Sequence, residues 1–417
     1  MTTNTNAERW ASAVHRPMGF VEFLIVIASI MALNPLAMDV MLPALPDIGA
    51  ALHVDDANRL QVILSTFMLG FGIGQFFVGP VADRFGRRPV VLSGMALYVI
   101  ASALASVAPT FETLLLARML QGLSTSATRV IATSIVRDCY VGRRMASVMS
   151  LAQMVFISVP ILAPSFGQLI LSLTGTWHSV FIVLLLAGIV ILTWNAIRLP
   201  ETLAPENRKS LAVRNVLQYY WQTINNRQSL GYALAAGSIM GAMFTYIFSA
   251  QQVLAGYFQL GPYFTLAFAA NAVGIALAAV LNARFVGRFG MRGMSHAALL
   301  SFVATTLLMM VASYADVLSL ALFIPLAILM LFSFGLLISN FTALAMEPHG
   351  QIAGTASSLF GSVTTLSGSL IGYLIGQSFN GTLRPLTTGF FVCGCVALLV
   401  VIIVERGRLF HSHRPVH

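Results

Sequence analysis

Three charges stand in stretches of this 417-residue chain that are otherwise apolar: Asp39, Arg118 and Arg129. A carboxyl removed from water favours its neutral, proton-carrying form, and a nearby cation favours the charged one. A group under both demands can hold a proton or a substrate, not both, which is the chemistry of proton coupling. The bland alternative is a hydrated carboxylate near the membrane surface. Asp39 lies seven residues before Pro46 and Arg118 six after Glu112, so they sit ~10 Å and ~9 Å below one end if both stretches are helical. Pairing would relieve both buried charges, either as working partners or as a fixed structural ion pair. Arg129 lies three turns plus roughly 20° beyond Arg118, ~16 Å along the same face. Thr125 and Gly122 share that stripe and Gln121 borders it. Such a stripe on a spanning helix faces a water-filled cavity, although Arg129 could equally bond backbone carbonyls.

A second constellation lies in the polar loop GPVADRFGRRPVVL, Gly79 to Leu92. Asp83 and Arg87 are four apart and pair if the turn is helical. Gly79 and Gly86 permit close approach and a tight bend. The C-terminal half has no acid within an apolar stretch, so its candidate cavity groups are neutral: Tyr246, Gln251, Gln252, Asn271 and Asn340, with Phe244 and Phe248 as an adaptable apolar wall. Cys139, Cys393 and Cys395 suggest no disulfide, and His411, His413 and His417 are too scattered for a metal site. No P-loop, GxSxG or metal-ligand cluster is present, which argues against an enzyme and an ATP-driven pump.

The elements that carry these residues follow from composition. Of the residues, 58% are hydrophobic and 9% charged, with mean hydropathy +0.85. A soluble protein carries roughly 25% charged residues. Crossing ~30 Å of hydrocarbon takes about 20 apolar residues. Such runs occur near 20–46, 60–81, 90–108, 111–136, 146–172, 178–198, 231–255, 263–283, 295–314, 317–343, 353–378 and 387–404. In lipid they must be helices, because each backbone group has to be satisfied within its own segment. With the N-terminus in the cytoplasm and twelve crossings, all but four of the 23 Lys and Arg fall in cytoplasmic segments. The exceptions are Arg59 and Arg384 outside, and Arg118 and Arg129 within a span. That asymmetry follows the positive-inside rule. The net charge of +9 thus reports orientation and lipid contact, without a nucleic-acid partner. The first run follows a polar stretch and lacks a small-residue cleavage site, so it does not read as a removable leader.

The chain divides near its middle. The expected organisation is a cytoplasmic N-terminal segment 1–19, a six-helix bundle 20–198, a cytoplasmic linker 199–230, a second six-helix bundle 231–405 and a cytoplasmic tail 406–417. Asp83 to Arg88 reads DRFGRR and Gly287 to Arg292 reads GRFGMR, 204 positions apart and at the same place in each half. Internal duplication of this kind builds a midplane site between two bundles that rock against each other. Gly70 and Gly74 in the second run, and Gly368, Gly372 and Gly376 in the eleventh, recur at four-residue steps. They suit close helix packing.

The loop Gly79 to Leu92, RMLQG at Arg118 to Gly122 and MDVMLPALP at Met38 to Pro46 resemble motifs of the major facilitator superfamily, in particular its twelve-helix drug:proton antiporters of the bicyclomycin-resistance type. IVRD at 135–138, LNARFVGRFG at 281–290 and AGTASSLFG at 353–361 are similar to it as well, so the resemblance covers both halves. The fifth run departs from the antiporter pattern: Ala163-Pro164 is followed by Gly167-Gln168, where the family has Gly-Pro and then two glycines. The resemblance implies an all-α membrane protein of the major facilitator fold, with two pseudo-symmetric six-helix bundles. It also implies that Arg118 takes part in proton coupling. By the same resemblance Asp83 caps the start of the eleventh helix, near Ile352 to Thr355, and Arg87 reaches an acid at the end of the fourth, here Asp138. That set would latch the cytoplasmic gate; the alternative is that these charges only fix topology.

The function so implied is export of lipophilic small molecules or drugs in exchange for protons, by alternating access. The proton gradient supplies the energy and no cofactor is expected. The expected partners are the bilayer, a small-molecule substrate and protons; the expected state is a monomer in a bacterial-type inner membrane with both termini cytoplasmic. The alternatives are a dedicated exporter or importer of one metabolite and, from another class, a membrane sensor or channel.

Overall fold

The computed structural model describes residues 18–140, 142–208 and 213–410. His411, His413 and His417 lie outside them. The long helices are α1 (Phe20–Asp39), α2 (Ala57–Phe85), α3 (Arg87–Ser106), α4 (Phe111–Cys139), α5 (Gly142–Thr174), α6 (His178–Arg198) and α7 (Arg227–Ala250). A single helical run, Phe264–Tyr314, follows; Gly290 (φ 72°, ψ 160°) breaks it into two arms, 264–289 and 291–314, here α8 and α9. The last three are α10 (Leu320–Met346), α11 (Ala353–Gln377) and α12 (Arg384–Val404). The described residues contain no strand, as expected where backbone groups must be satisfied without water.

Nine stretches of the described helices are long and apolar enough to cross a bilayer, and Phe264–Tyr314, 51 residues long, is one of them. Its two arms give two crossings. α4 is diluted by Glu112, Arg118, Gln121, Arg129 and the hydroxyls of Ser124, Thr125, Ser126 and Thr128, and α5 contributes the apolar stretch Ser158–Thr174. Twelve spans result. The 199–230 stretch contains a further helix, Val213–Ile224.

The chain forms two compact units. The first joins Met1–His53 to Thr66–Leu217; the second joins Val54–Ser65 to Gln218–His417. In the first, α1 packs on α4 and α5, and α3 on α4 and α6. In the second, α7 packs on α10 and α11, and the α8–α9 run on α10 and α12. These are the same pairings six helices later. Gly70 of α2 presses on the Met119 carbonyl of α4, and Gly274 of α8, 204 positions on, presses on the Ile328 carbonyl of α10. The short RFG repeat therefore marks a duplication of packing. Each unit has one arginine-rich end: Arg84, Arg87, Arg88, Arg137 and Arg198 in the first, Arg227, Arg284, Arg288, Arg292 and Arg406 in the second.

The glycine steps serve the close helix packing that their spacing suggested. Gly70 and Gly74 pack against Met119, Leu123 and Ser126 of α4, Gly368 and Gly372 against Met240 and Phe244 of α7, and Gly376 against Gln61. They let helices approach within a unit.

Candidate functional site

The polar stripe of α4 faces the interior of the first unit. Arg118, Gln121 and Thr125 are fully buried, and Asp39 is 3% exposed. Arg118 Nη1 donates to the Ala37 carbonyl (3.0 Å) and to Gln121 Oε1 (2.7 Å). Gln121 Nε2 donates to Ser102 Oγ on α3 (2.8 Å), and Asn34 Nδ2 on α1 donates to Thr125 Oγ1 (3.2 Å). The guanidinium lies 4.4 Å from the centre of the Phe67 ring, a cation–π contact of about 0.5–2 kcal/mol.

This geometry has a local cause. α1 ends at Asp39, and the last carbonyls of any helix lack partners within it. Arg118 supplies one to Ala37, placing a cation where the helix dipole is negative. Asp39 stands at the same end, where a carboxylate is disfavoured. The bond to Ala37 brings Arg118 to the level of Asp39, although α1 stops at Asp39 and does not continue to Pro46. The expected Asp39–Arg118 pair is corrected: the bonds of Arg118 go to Ala37 and Gln121. Asp39 Oδ1 and Arg118 Nε and Nη2 are buried with no hydrogen-bond partner among the described residues. Arg129 is partly exposed, and its carbonyl accepts from Thr133 Oγ1 (3.2 Å).

At the arginine-rich end of this unit, Arg87 Nη1 meets Asp83 Oδ1 at 2.6 Å and Arg87 Nε meets Asp138 Oδ2 at 3.1 Å. Thr202 Oγ1 also donates to Asp138 Oδ2 (3.2 Å). Gly79 is an ordinary part of α2, whereas Gly86 has φ 106° and separates α2 from α3. The expected cap of Asp83 on the start of the eleventh helix, near Ile352 to Thr355, falls largely on 352–354, whose side chains lie outside those described. Sequence reasoning missed Glu201. Its carboxylate accepts from the backbone N–H of Arg87 (2.9 Å) and Arg88 (3.3 Å), an anion on the N-terminus of α3. It also accepts from Thr202 and Leu203 N–H. A side chain on Gly86 would strike Glu201 Oε2, so this glycine is required twice over.

The second unit brings together only part of the neutral set. Asn271 Nδ2 donates to Tyr246 Oη (2.8 Å), and Tyr246 stacks on Phe268 at 5.8 Å. Asn271 Oδ1, Ser249 Oγ and Gln251 Oε1 are buried without a partner among the described residues. A small cavity at Tyr246 and Ser249 is lined further by Phe323, Leu386, Thr387 and Phe390. Gln252 points elsewhere, bonding Gln61 and, at 2.8 Å, Asn58 Oδ1. Asn340 belongs to a separate pair, donating to Asn282 Oδ1 (2.7 Å). Phe244 and Phe248 stack on each other in the core, 7% and 1% exposed.

The arginine-rich end of this unit holds a second missed network. Arg292 Nε meets Glu405 Oε1 (3.0 Å), and Tyr232 Oη donates to the same oxygen (2.7 Å). Glu347 accepts from Arg292 (3.5 Å) and Gln228 (2.8 Å). The signal was available: Glu201 and Glu405 are 204 positions apart, as are Arg88 and Arg292 and the positive-φ glycines Gly86 and Gly290.

The model of the Major Facilitator Superfamily matches residues 27–373. The chain is 32% identical over 409 residues to an uncharacterized MFS-type transporter, YdgK, of Bacillus subtilis, covering 95% of this chain and 99% of that protein. It is 29% identical to a bicyclomycin resistance protein homolog of Haemophilus influenzae (93% and 97% covered) and 30% identical to the multidrug resistance protein MdtL of Escherichia coli (95% and 98%). The fold is similar to the crystal structure of the human organic anion transporter MFSD10, with TM-score 0.70, 18% identity, and 91% and 98% of the two chains covered.

Proposed function

Because the chain belongs to the major facilitator superfamily, and is therefore a multi-pass membrane transporter and not an enzyme, we propose that it exports lipophilic small molecules from the cytoplasm in exchange for protons. Relatives named for bicyclomycin and multidrug resistance support the substrate class. The proton gradient is the energy source, and Asp39 is the proton carrier. The observation that carries this reading is the burial of Asp39, with Oδ1 orphaned, beside an Arg118 whose bonds go elsewhere. That arrangement suits a carboxyl holding a proton. Loss of the proton would leave a bare charge at a helix end that repels it, drawing Arg118 from Ala37 and Gln121 and loosening the contact between α1 and α4. Proton release is thereby linked to a rearrangement that a substrate could trigger.

The arginine-rich ends face the cytoplasm in this reading, following the positive-inside rule, and both termini lie there. Asp83, Arg87 and Asp138 belong to the gate at that face, with Glu201 as a further support. Tyr246, Asn271 and Ser249 offer neutral polar anchors on an aromatic wall, which suits varied lipophilic substrates.

The experiment is substrate-induced proton release from purified protein, screened over lipophilic drugs and over metabolites, with Asp39→Asn alongside. Drug-induced release from the native chain, absent in Asp39→Asn with membrane insertion intact, is the expected result. Transport still driven by a pH gradient in Asp39→Asn would refute the role of Asp39. Release by one metabolite alone would replace the drug reading with a dedicated exporter.

A further inference from the structure

The helix Val213–Ile224 lies between α6 and α7 and has no part in the sites above. Its described side chains divide three ways around the axis. Leu217, Trp221 and Ile224 are 60%, 67% and 41% exposed, and at ~100° per residue they fall within roughly 60° of one another. Arg214, Gln218 and Gln222 form the adjoining exposed polar strip. On the remaining side Thr223 is buried and Tyr219 and Tyr220 are half-buried, and burial pushes the Tyr220 hydroxyl up to about 12. A helix in water needs two faces. This one has a third, apolar and uncovered.

Its height is fixed by its neighbours. Only Asn225 and Asn226 separate it from α7, and Asn226 Oδ1 caps α7 by accepting from Ser229 N–H (3.0 Å). The helix therefore ends at the level of the first turn of a spanning segment. The exposed Leu234, two turns into α7, continues the apolar surface that the bilayer covers. Arg214 on the helix and Arg227 just after it are exposed, and the exposed acid beside this turn, Glu347, bonds Gln228 and Arg292.

We propose that the helix Val213–Ile224 lies in the membrane interface, with Leu217, Trp221 and Ile224 inserted among the lipids and Arg214 and Arg227 holding anionic headgroups of the leaflet at the arginine-rich end. Interfacial helices combine such an apolar stripe with basic residues beside it, and anionic headgroups attract basic residues at the membrane boundary. Trp221 has the amphipathic ring favoured at that level.

The test uses the full chain with Trp10, Trp177 and Trp194 changed to Phe, so that Trp221 is the sole tryptophan. It is reconstituted in phosphatidylcholine vesicles with or without phosphatidylglycerol. Lipid brominated near the headgroup should quench Trp221 severalfold more than lipid brominated at the chain end, and aqueous acrylamide should quench it little. Phosphatidylglycerol should deepen the protection, and Arg214→Gln should remove that increment. Because Trp177 is buried and its replacement risks misfolding, a nitroxide at Leu217→Cys, with Cys139, Cys393 and Cys395 changed to Ser, provides a second reading. It should be more accessible to oxygen than to a water-soluble nickel chelate. Free access of acrylamide and nickel would overturn the proposal, as would protection without bromolipid quenching, which would mean a protein cover. Quenching indifferent to phosphatidylglycerol would overturn the anionic-headgroup assignment.

Discussion

In the first unit, Phe67 lies three residues before Gly70 and carries the Arg118 guanidinium over its ring. In the second, the residue 204 positions on is Asn271, three before Gly274, and it bonds Tyr246. α4 and α10 can be set in register by the carbonyls of Met119 and Ile328 that face those glycines. Arg118, Gln121 and Thr125 then correspond to Ala327, Met330 and Phe334, all buried. One packing plan is filled with charge in the first unit and with neutral groups in the second. Since Ala, Met and Phe serve in the same positions, the fold does not need the charges. Burying them costs free energy that apolar residues would not, which accords with the working role proposed for them above.

The largest effects should separate the two middles. Arg118→Ala removes the bonds to Gln121 and the Ala37 carbonyl, which should destabilise by roughly 2–5 kcal/mol and reduce proton-coupled transport to background. Asn271→Leu removes only the bond to the Tyr246 hydroxyl. It should cost about 0.5–1.5 kcal/mol and weaken substrate binding while leaving the pH dependence of transport in place. Thermal unfolding and transport across a pH series measure both. Equal loss of pH dependence in the two variants would break the division of labour between the units.

How much of this could be read from the sequence depends on where each signal lies. Apolar runs are local, so the spans were legible, including α4, whose polar stripe defeats a simple hydropathy average. Asp39 and Arg118 were legible because charge is rare in such runs. Their bonding was not, because the Ala37 carbonyl is freed by where α1 stops, and a backbone group leaves no mark in residue types. Asn34 and Ser102 resemble any other small polar residue until their partners are known. Glu201 and Glu405 hid in polar segments where acids are common, although their 204-residue separation was open to inspection. The helix Val213–Ile224 was obscured because its tyrosines and glutamines gave the linker a uniformly polar look.

The duplicated turns allow a finer comparison. Gly86 and Gly290 both hold positive φ, at 106° and 72°, so a side chain at either costs roughly 1–2 kcal/mol in backbone strain. A Cβ at Gly290 meets open space, while one at Gly86 meets the Glu201 carboxylate that caps α3. Gly86→Ala should therefore destabilise more than Gly290→Ala, and it alone should alter cysteine labelling around Asp83 and Asp138. Thermal unfolding of the two variants side by side decides it. Equal shifts would mean that Glu201 yields without cost and is not part of the clamp.

The smallest expected effect concerns the arginine-rich end of the second unit, where Met291 replaces the latch arginine and Gly287 its aspartate. Charge there gathers instead on Glu405, which faces Arg292 and Tyr232. Burial alone would push this carboxyl up, but the hydrogen bonds from Tyr232 and Arg292 outweigh it and hold the group below its ordinary 4.5. A depressed carboxyl contributes stability that is fully present above the unfolded value and is lost as pH falls through the folded one. Glu405→Gln should therefore lower the unfolding temperature by a few degrees at neutral pH, and the gap from the native chain should close below pH 4.5. A gap equally wide in acid would mean that the carboxylate charge is not what Arg292 and Tyr232 hold, and that shape alone fixes this end of the second unit.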